Sequence, residues 1–244
     1  ALIAEHGNEL IRLAEAAKVQ LRFEAAVAGG IPIIKTLREG MAANSIVEIA
    51  GIINGTGNFI LSEMSTNHRP FEDILSDAQA LGYAEADPTF DIDGTDAAQK
   101  LVILASLAFG IPIETDVPFK QGIQEVALVD LQFAAELGYS VKHLGIARCV
   151  GETVEMRVHP ALIPVTQQLA NVDGVLNAIM LKGDAIGELS LVGPGAGGSA
   201  TASAVCADLV DLARGGQSAG EGNNFVLGMP ALKLVPRRFL PAED

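Results

Sequence analysis

Four strand-like runs crowd the second half of this chain and constrain its fold more than any other feature. They are Lys142–Val150, Thr153–His159, Leu176–Lys182 and Ala185–Val192. Met156-Arg157-Val158 and Gly187-Glu188-Leu189-Ser190-Leu191 alternate apolar with polar residues, so one face of this sheet is wet. The block reads as an antiparallel sheet, with a helix expected near Pro164–Ala170. A further strand, Ile46–Ile53, is apolar enough to be buried on both faces. Helical periodicity supplies the cover. Leu2–Lys18 carries a stripe of Leu10, Leu13, Ala14 and Ala17. A helix from Ile33 to about Met41 turns Ile33, Ile34 and Leu37 inward, and Phe71–Leu81 does so with Ile74, Leu75 and Ala78. Gly94–Phe109 buries Ala97, Leu101, Leu104 and Ala105, and shorter helices are expected at Leu131–Leu137 and Thr201–Arg214. The fold class is therefore α/β of the α+β kind, a mixed sheet covered by helices.

The polar residues concentrate in Ala80–Lys100, ALGYAEADPTFDIDGTDAAQK. Gly82 and Pro88 break the chain, so Glu85 and Asp87 belong to a turn. Asp93 suits the N-cap of the next helix, since its carboxylate can accept the unpaired amide of Thr95 or Asp96. A helix starting there puts Asp96 and Lys100 four residues apart on one face. Two readings follow. They are an ordinary exposed pair worth about 0.3–0.5 kcal/mol, or an amine held by a carboxylate beside an apolar wall, the setting of a proton-transfer group. Upstream, Asn54-Gly55-Thr56-Gly57-Asn58 is a polar turn ahead of a helix at Phe59–Ser65. Thr56 and Asn58 either cap that helix or meet a ligand. Ala28-Gly29-Gly30-Ile31-Pro32 is a tight turn feeding a helix.

Three blocks, in order, resemble the homoserine dehydrogenase family. The first is Phe23-Glu24-Ala25-Ala26-Val27-Ala28-Gly29-Gly30-Ile31-Pro32-Ile33-Ile34. The second is Gly51-Ile52-Ile53-Asn54-Gly55-Thr56-Gly57-Asn58-Phe59-Ile60-Leu61. The third is the pattern Ala80, Gly82, Asp87-Pro88, Asp91, Gly94, Asp96, Lys100. The resemblance runs from Ala1 to about Arg214. It implies NAD(P)-linked interconversion of L-homoserine and L-aspartate 4-semialdehyde, in the synthesis of threonine, methionine and isoleucine. It assigns catalysis to Lys100 with Asp96, and substrate binding to Glu85, Asp91 and Lys100. Gly197 is matched to a position that contacts the NADP or NAD cofactor. Main-chain oxygens at Glu24, Val27, Gly29 and Ile31 match positions that hold a monovalent cation, usually sodium. The sheet block is matched to the substrate domain and the interface of a homodimer, with a homotetramer as a further expectation. One departure is Gly57, where the family often has Thr or Ser.

Leu2–Lys18 followed by a predicted strand at Val19–Val27 looks like the tail of a larger βαβ array. No G-x-G-x-x-G stands between a strand and a helix there, and the family places a dinucleotide-binding domain before this point. The expected division is thus residues 1–27 as the last helix and strand of a truncated Rossmann-type domain, 28–200 as the catalytic and dimerisation domain, and 201–244 as a returning helix and linker. Residues Gly215–Asp244 resemble the linker that leads, in longer members, to a regulatory ACT domain. Gly193-Pro194-Gly195-Ala196-Gly197-Gly198 is not a phosphate loop, because no acidic residue stands about twenty residues beyond it. A second reading of the chain as given is a non-catalytic module that dimerises and binds substrate.

The formal net charge of −14 argues against nucleic acid and anionic membrane surfaces as partners. No apolar run reaches the roughly 18–20 residues of a membrane span, and no signal peptide is expected. Cys149 and Cys206 read as isolated buried thiols of a cytoplasmic protein. His6, His68, His143 and His159 show no ligand spacing and read as surface or strand residues.

Overall fold

A computed structural model describes residues 1–215 and 234–240. At its centre lies strand β1 (Ile46–Ile52), which pairs antiparallel with β3 (Tyr139–Val150) on one side and β5 (Leu176–Gly183) on the other. Beyond β3 comes β4 (Thr153–Pro164), and beyond β5 comes β6 (Gly187–Pro194), both antiparallel to their neighbours. The outer edge of β4 receives two short parallel strands, β2 (Phe119–Lys120) against Arg157 and Val158, and β7 (Arg238–Leu240) against Thr153–Glu155. These parallel additions make the sheet mixed, as expected.

The period of two sorts each strand between two layers. Ile49, Ala147, Ile179 and Leu181 face the main core, while Ala50, Ile52, Leu144, Ile146 and Ala178 face the opposite side. Over the main core lies α6 (Thr95–Phe109), with ten buried residues including Leu101, Leu104 and Ala105. A helix apolar over so much of its surface is stable only as an interior element, and Gly110 in the left-handed conformation ends it. Helix α1 (Leu2–Ala16) packs on α6. Its buried stripe is Ile3, Ala4, Gly7, Ile11 and Ala14, rotated from the expected one, and Leu13 is 58 % exposed. A second cluster joins α3 (Gly55–Asn67), α4 (Phe71–Ala80) and α7 (Leu128–Glu136) through Ile60, Met64, Ile74 and Leu131.

Several expectations are corrected. Val19–Val27 forms no strand; it holds one 3-10 turn, Glu24–Ala26. Phe23 and Val27 pack into the core without finding a sheet edge, while Val19 stays exposed. The following helix α2 (Ile33–Lys35) widens at once into a π turn, Thr36–Gly40. The helix expected near Pro164–Ala170 is one 3-10 turn, Gln168–Asn171, because β4 runs on to Pro164. Cys149 is half-buried and Cys206 exposed, so neither is the buried thiol expected. His143 and His159 are strand residues as expected, on β3 and β4, and His143 is buried. Most of the expected linker at 215–244 lies outside the described residues, and β7 occupies part of the rest.

Among the described residues, the largest fully buried side chain is that of Lys142 on β3. Its ammonium donates to the Val172 carbonyl and to Asp173 Oδ1, both at 2.7 Å. Asn58, also buried, donates to the carbonyls of Val172, Gly174 and Leu176 at 3.0, 3.0 and 3.2 Å. Together they fix the loop that enters β5.

Candidate functional site

Where β1 ends, four elements converge. The Ile53 carbonyl accepts a hydrogen bond from Lys100 Nζ at 3.1 Å. The next residue, Asn54, is the N-cap of α3: its backbone is extended and its Oδ1 accepts the Gly57 amide at 2.7 Å. The same side chain donates from Nδ2 to Asp91 Oδ1 and to Asp96 Oδ2, each at 2.8 Å. Asp96 Oδ2 also accepts from Lys100 Nζ at 2.6 Å. Asp91 comes from the one-turn helix α5 (Thr89–Ile92), and Asp96 and Lys100 from the first turns of α6.

The i,i+4 spacing therefore delivers its pair, in more shelter than an open helix face provides. The side chains of Lys100 and Asp96 are 21 % and 18 % exposed, so water and salt screen their attraction less. Asp96 also lies in the first turn of α6, where the helix dipole favours a negative charge. Burial pushes the Asp91 carboxyl above its ordinary range; the Asn54 hydrogen bond opposes this, the Asp96 charge adds to it and Lys100 opposes it.

Asp93 is not the expected N-cap of α6, a position that Gly94 holds because the chain turns left-handed there, but its carboxylate does accept the Thr95 amide. Its oxygens accept the Thr95 amide and the Thr95 hydroxyl, both at 2.8 Å, and pair with Lys120 at 2.9 Å. Burial works against its charge, but these donors outweigh burial and hold its pKa below the ordinary value. Gly94 is left-handed at φ +87°, and a Cβ there would press at 3.2 Å on His143, Lys120 and Val158. Only glycine turns the chain at that point.

Of the other polar residues, Glu85 is exposed in the turn after α4, and its side chain makes no hydrogen bond to this cluster. Neither Thr56 nor Asn58 is the cap: the Thr56 hydroxyl donates to the Tyr83 carbonyl at 2.7 Å, and Asn58 holds the loop before β5. The capping residue that the sequence reading missed is Asn54. An Asn followed by Gly-Thr-Gly was its only signal.

A second feature joins two glycine turns. The Gly29 and Gly30 amides donate to the Gly195 and Pro194 carbonyls, each at 2.9 Å. Alongside, α8 (Gly198–Gly215) is bound to the first turn through Asp208, which accepts the Glu24 amide at 2.9 Å, and through an Asp211–Lys35 ion pair at 2.5 Å. The buried Glu24 carboxylate accepts the Ile34 and Lys35 amides at 2.9 Å each. Among the described residues, the Val27 and Gly29 carbonyls accept no hydrogen bond, whereas Ile31 O takes the Ile33 amide at 2.7 Å. Among the described residues, nothing lies within 4 Å of the point a Cβ on Gly197, at φ +111°, would occupy, so the mouth of this turn is open. Behind it the Asn177 carboxamide is buried, and its Oδ1 finds no partner among the described residues.

A family model described as homoserine dehydrogenase matches residues 32–210. The chain is 54 % identical over 243 residues to a homoserine dehydrogenase of Pseudomonas aeruginosa, covering 100 % of this chain and 56 % of that one. It is 50 % identical over 244 residues to that of Helicobacter pylori, with the same coverage of 100 % and 56 %. A crystal structure of a homoserine dehydrogenase from Thiobacillus denitrificans superposes with a TM-score of 0.95 at 52 % identity, over 99 % of this chain and 56 % of that one. A hyperthermophilic archaeal homoserine dehydrogenase in complex with NADPH gives a TM-score of 0.75 at 32 % identity, over 87 % and 61 %. The chain thus spans little more than half the length of these relatives. On the family match and these identities, it belongs to the homoserine dehydrogenase family.

Proposed function

We propose that this chain is the substrate-binding and subunit-pairing part of a cytoplasmic enzyme that interconverts L-homoserine and L-aspartate 4-semialdehyde with NADP or NAD, on the route to threonine, methionine and isoleucine. The observation that carries the reading is Lys100, held by Asp96 and by the Ile53 carbonyl at the end of β1, in a chain of this family. When bound, a nicotinamide nucleotide supplies the hydride chemistry. Lys100 exchanges a proton with the substrate's hydroxyl or carbonyl oxygen and, as an ammonium, stabilises negative charge developing there. Asp96 aims that ammonium. Asp91 and Glu85, as acceptors, suit the substrate's α-ammonium. The open turn at Gly197 fits a cofactor lying across the glycine turn. Oxygens of Glu24, Val27, Gly29 and Ile31 would hold a sodium ion that stiffens the facing turn. The unbonded carbonyls of Val27 and Gly29 suit such a hard cation.

Subunit pairing is assigned to the sheet face opposite α6. A groove there is lined by Ala50, Leu144, Ile146 and Met180, and Leu162 beside it is 59 % exposed. Because the chain spans 56 % of its relatives, a second reading holds for it in isolation: a dimer that binds substrate without turnover. The test is L-homoserine-dependent reduction of NADP and of NAD by the full-length protein and by this chain alone. Full-length turnover that falls by about a hundredfold to ten-thousandfold in Lys100→Ala, with the fold retained, is expected. Near-normal kcat in that variant overturns the assignment of Lys100.

A further inference from the structure

Asn54 has no role in that scheme beyond capping a helix, yet its side chain touches more of the site than any other residue. A carboxamide offers two N–H donors and one carbonyl. Here both kinds of group are committed: Nδ2 reaches Asp91 and Asp96, and Oδ1 reaches the Gly57 amide. This fixes the orientation of the carboxamide. A flip would turn Oδ1 onto two carboxylates and an NH2 group onto an N–H, breaking three bonds and adding repulsion. The charged groups facing Asn54 are Asp91 from α5 and Asp96 with Lys100 from α6; the Asp93–Lys120 pair and His143 gather one layer away, around Gly94.

We propose that Asn54 is a positioning residue for the reaction: it holds two like-charged carboxylates side by side as separate acceptors, so that Asp96 aims Lys100 while Asp91 remains free to meet the substrate's ammonium. This rests on the homoserine dehydrogenase reading above. No charged residue could do the same. Lys or Arg would neutralise the pair and compete with Lys100, and Asp would repel both partners. A neutral double donor satisfies both carboxylates and leaves the net charge of the site to the substrate. Because Asn54 follows Ile53, whose carbonyl holds Lys100, the end of β1 sets the ammonium and its carboxylate through adjacent residues. The geometry of the site is thereby tied to the central strand of the sheet.

Two substitutions separate this role from capping. Asn54→Ser keeps a good N-cap but cannot bridge two carboxylates. Asn54→Asp keeps the cap and the shape and adds a third negative charge. Both are made in the full-length protein and assayed for homoserine oxidation from pH 6 to 10, with thermal melts and with wild type alongside. The expected result is melting close to wild type for the serine variant and kcat/KM lowered by about tenfold to a hundredfold in both. In Asn54→Asp the pH–rate profile should also move to higher pH, since the added negative charge favours the protonated forms of its neighbours. Profiles that superpose on wild type at unchanged kcat/KM would leave Asn54 a cap and overturn the inference. Loss of stability in both variants without any shift in profile would overturn it too. Failure of wild type to oxidise homoserine would instead overturn the functional reading on which it rests.

Discussion

Gly195→Ala provides a steric test of the glycine turn. Gly195 does not have the positive φ of Gly197, so its backbone accepts an alanine. The obstacle is Asn177. A methyl on Gly195 would lie 2.1, 2.2 and 2.3 Å from Cγ, Nδ2 and Oδ1 of that side chain. Asn177 is only 1 % exposed and cannot swing into water. The turn cannot simply back away either, because the Gly195 and Pro194 carbonyls are bonded to the facing turn. Overpacking of this kind costs about 1–3 kcal/mol, and the upper half of that range applies where both sides are held. At about 2–4 °C per kcal/mol, the melting temperature should fall by roughly 5–10 °C. Asn177→Ala alone should cost about 1 kcal/mol, since its Oδ1 has no bond to lose. All three clashing atoms lie beyond the Asn177 Cβ, so the double variant should be no less stable than Asn177→Ala. A double-mutant cycle by urea and thermal unfolding should then return a coupling of about 2 kcal/mol. Additive effects of the two substitutions would refute the steric argument.

Two further outcomes follow from buried polar groups. Burial depresses the His143 pKa while the Gln121 carbonyl opposes this, so the folded state binds its proton less readily than the unfolded chain does. That stability is present in full above about pH 6.5 and is lost as pH falls through that value, by at most about 1.4 kcal/mol per pH unit. His143→Gln should flatten the pH dependence of unfolding between pH 7.5 and 5.5, and parallel curves for the two proteins would contradict this. Lys142→Met keeps most of the buried stem but removes the ammonium from Val172 and Asp173. It should cost about 2 kcal/mol by thermal melting, against less than about 1 kcal/mol for Asp173→Asn, whose carboxamide still accepts; equal losses would show that the ammonium is not what fixes the loop.

Local patterns were legible in the sequence where one element decides them. The apolar run of α6, the inward face of α4 and the alternation of β4 and β6 each follow from a period that neighbours cannot easily override. The same holds for Asp96 and Lys100, one helical turn apart. What failed depended on distant partners. Val19–Val27 has the composition of a strand but meets core side chains and no sheet edge. The α1 stripe is rotated because α6 meets the side bearing Ile3, Gly7 and Ile11, and the Ile113 side chain fills the space beside Gly7. Asn54 could not be singled out, because its importance comes from Asp91 and Asp96, 37 and 42 residues further along the chain.

The central strand also has a consequence for how the molecule comes into being. Glu48 on β1 is bonded to Arg148 on β3, 100 residues later, and pairs with Lys182 on β5 later still. The β3–β4 and β5–β6 pairings are local and close quickly, whereas β1 must wait for both. During synthesis an apolar strand is therefore made long before the two edges that shelter it, and it is open to capture by chaperones or by other nascent chains in the interval. The candidate site needs neither edge, since Ile53 and Asn54 find Asp91, Asp96 and Lys100 within 47 residues along the chain.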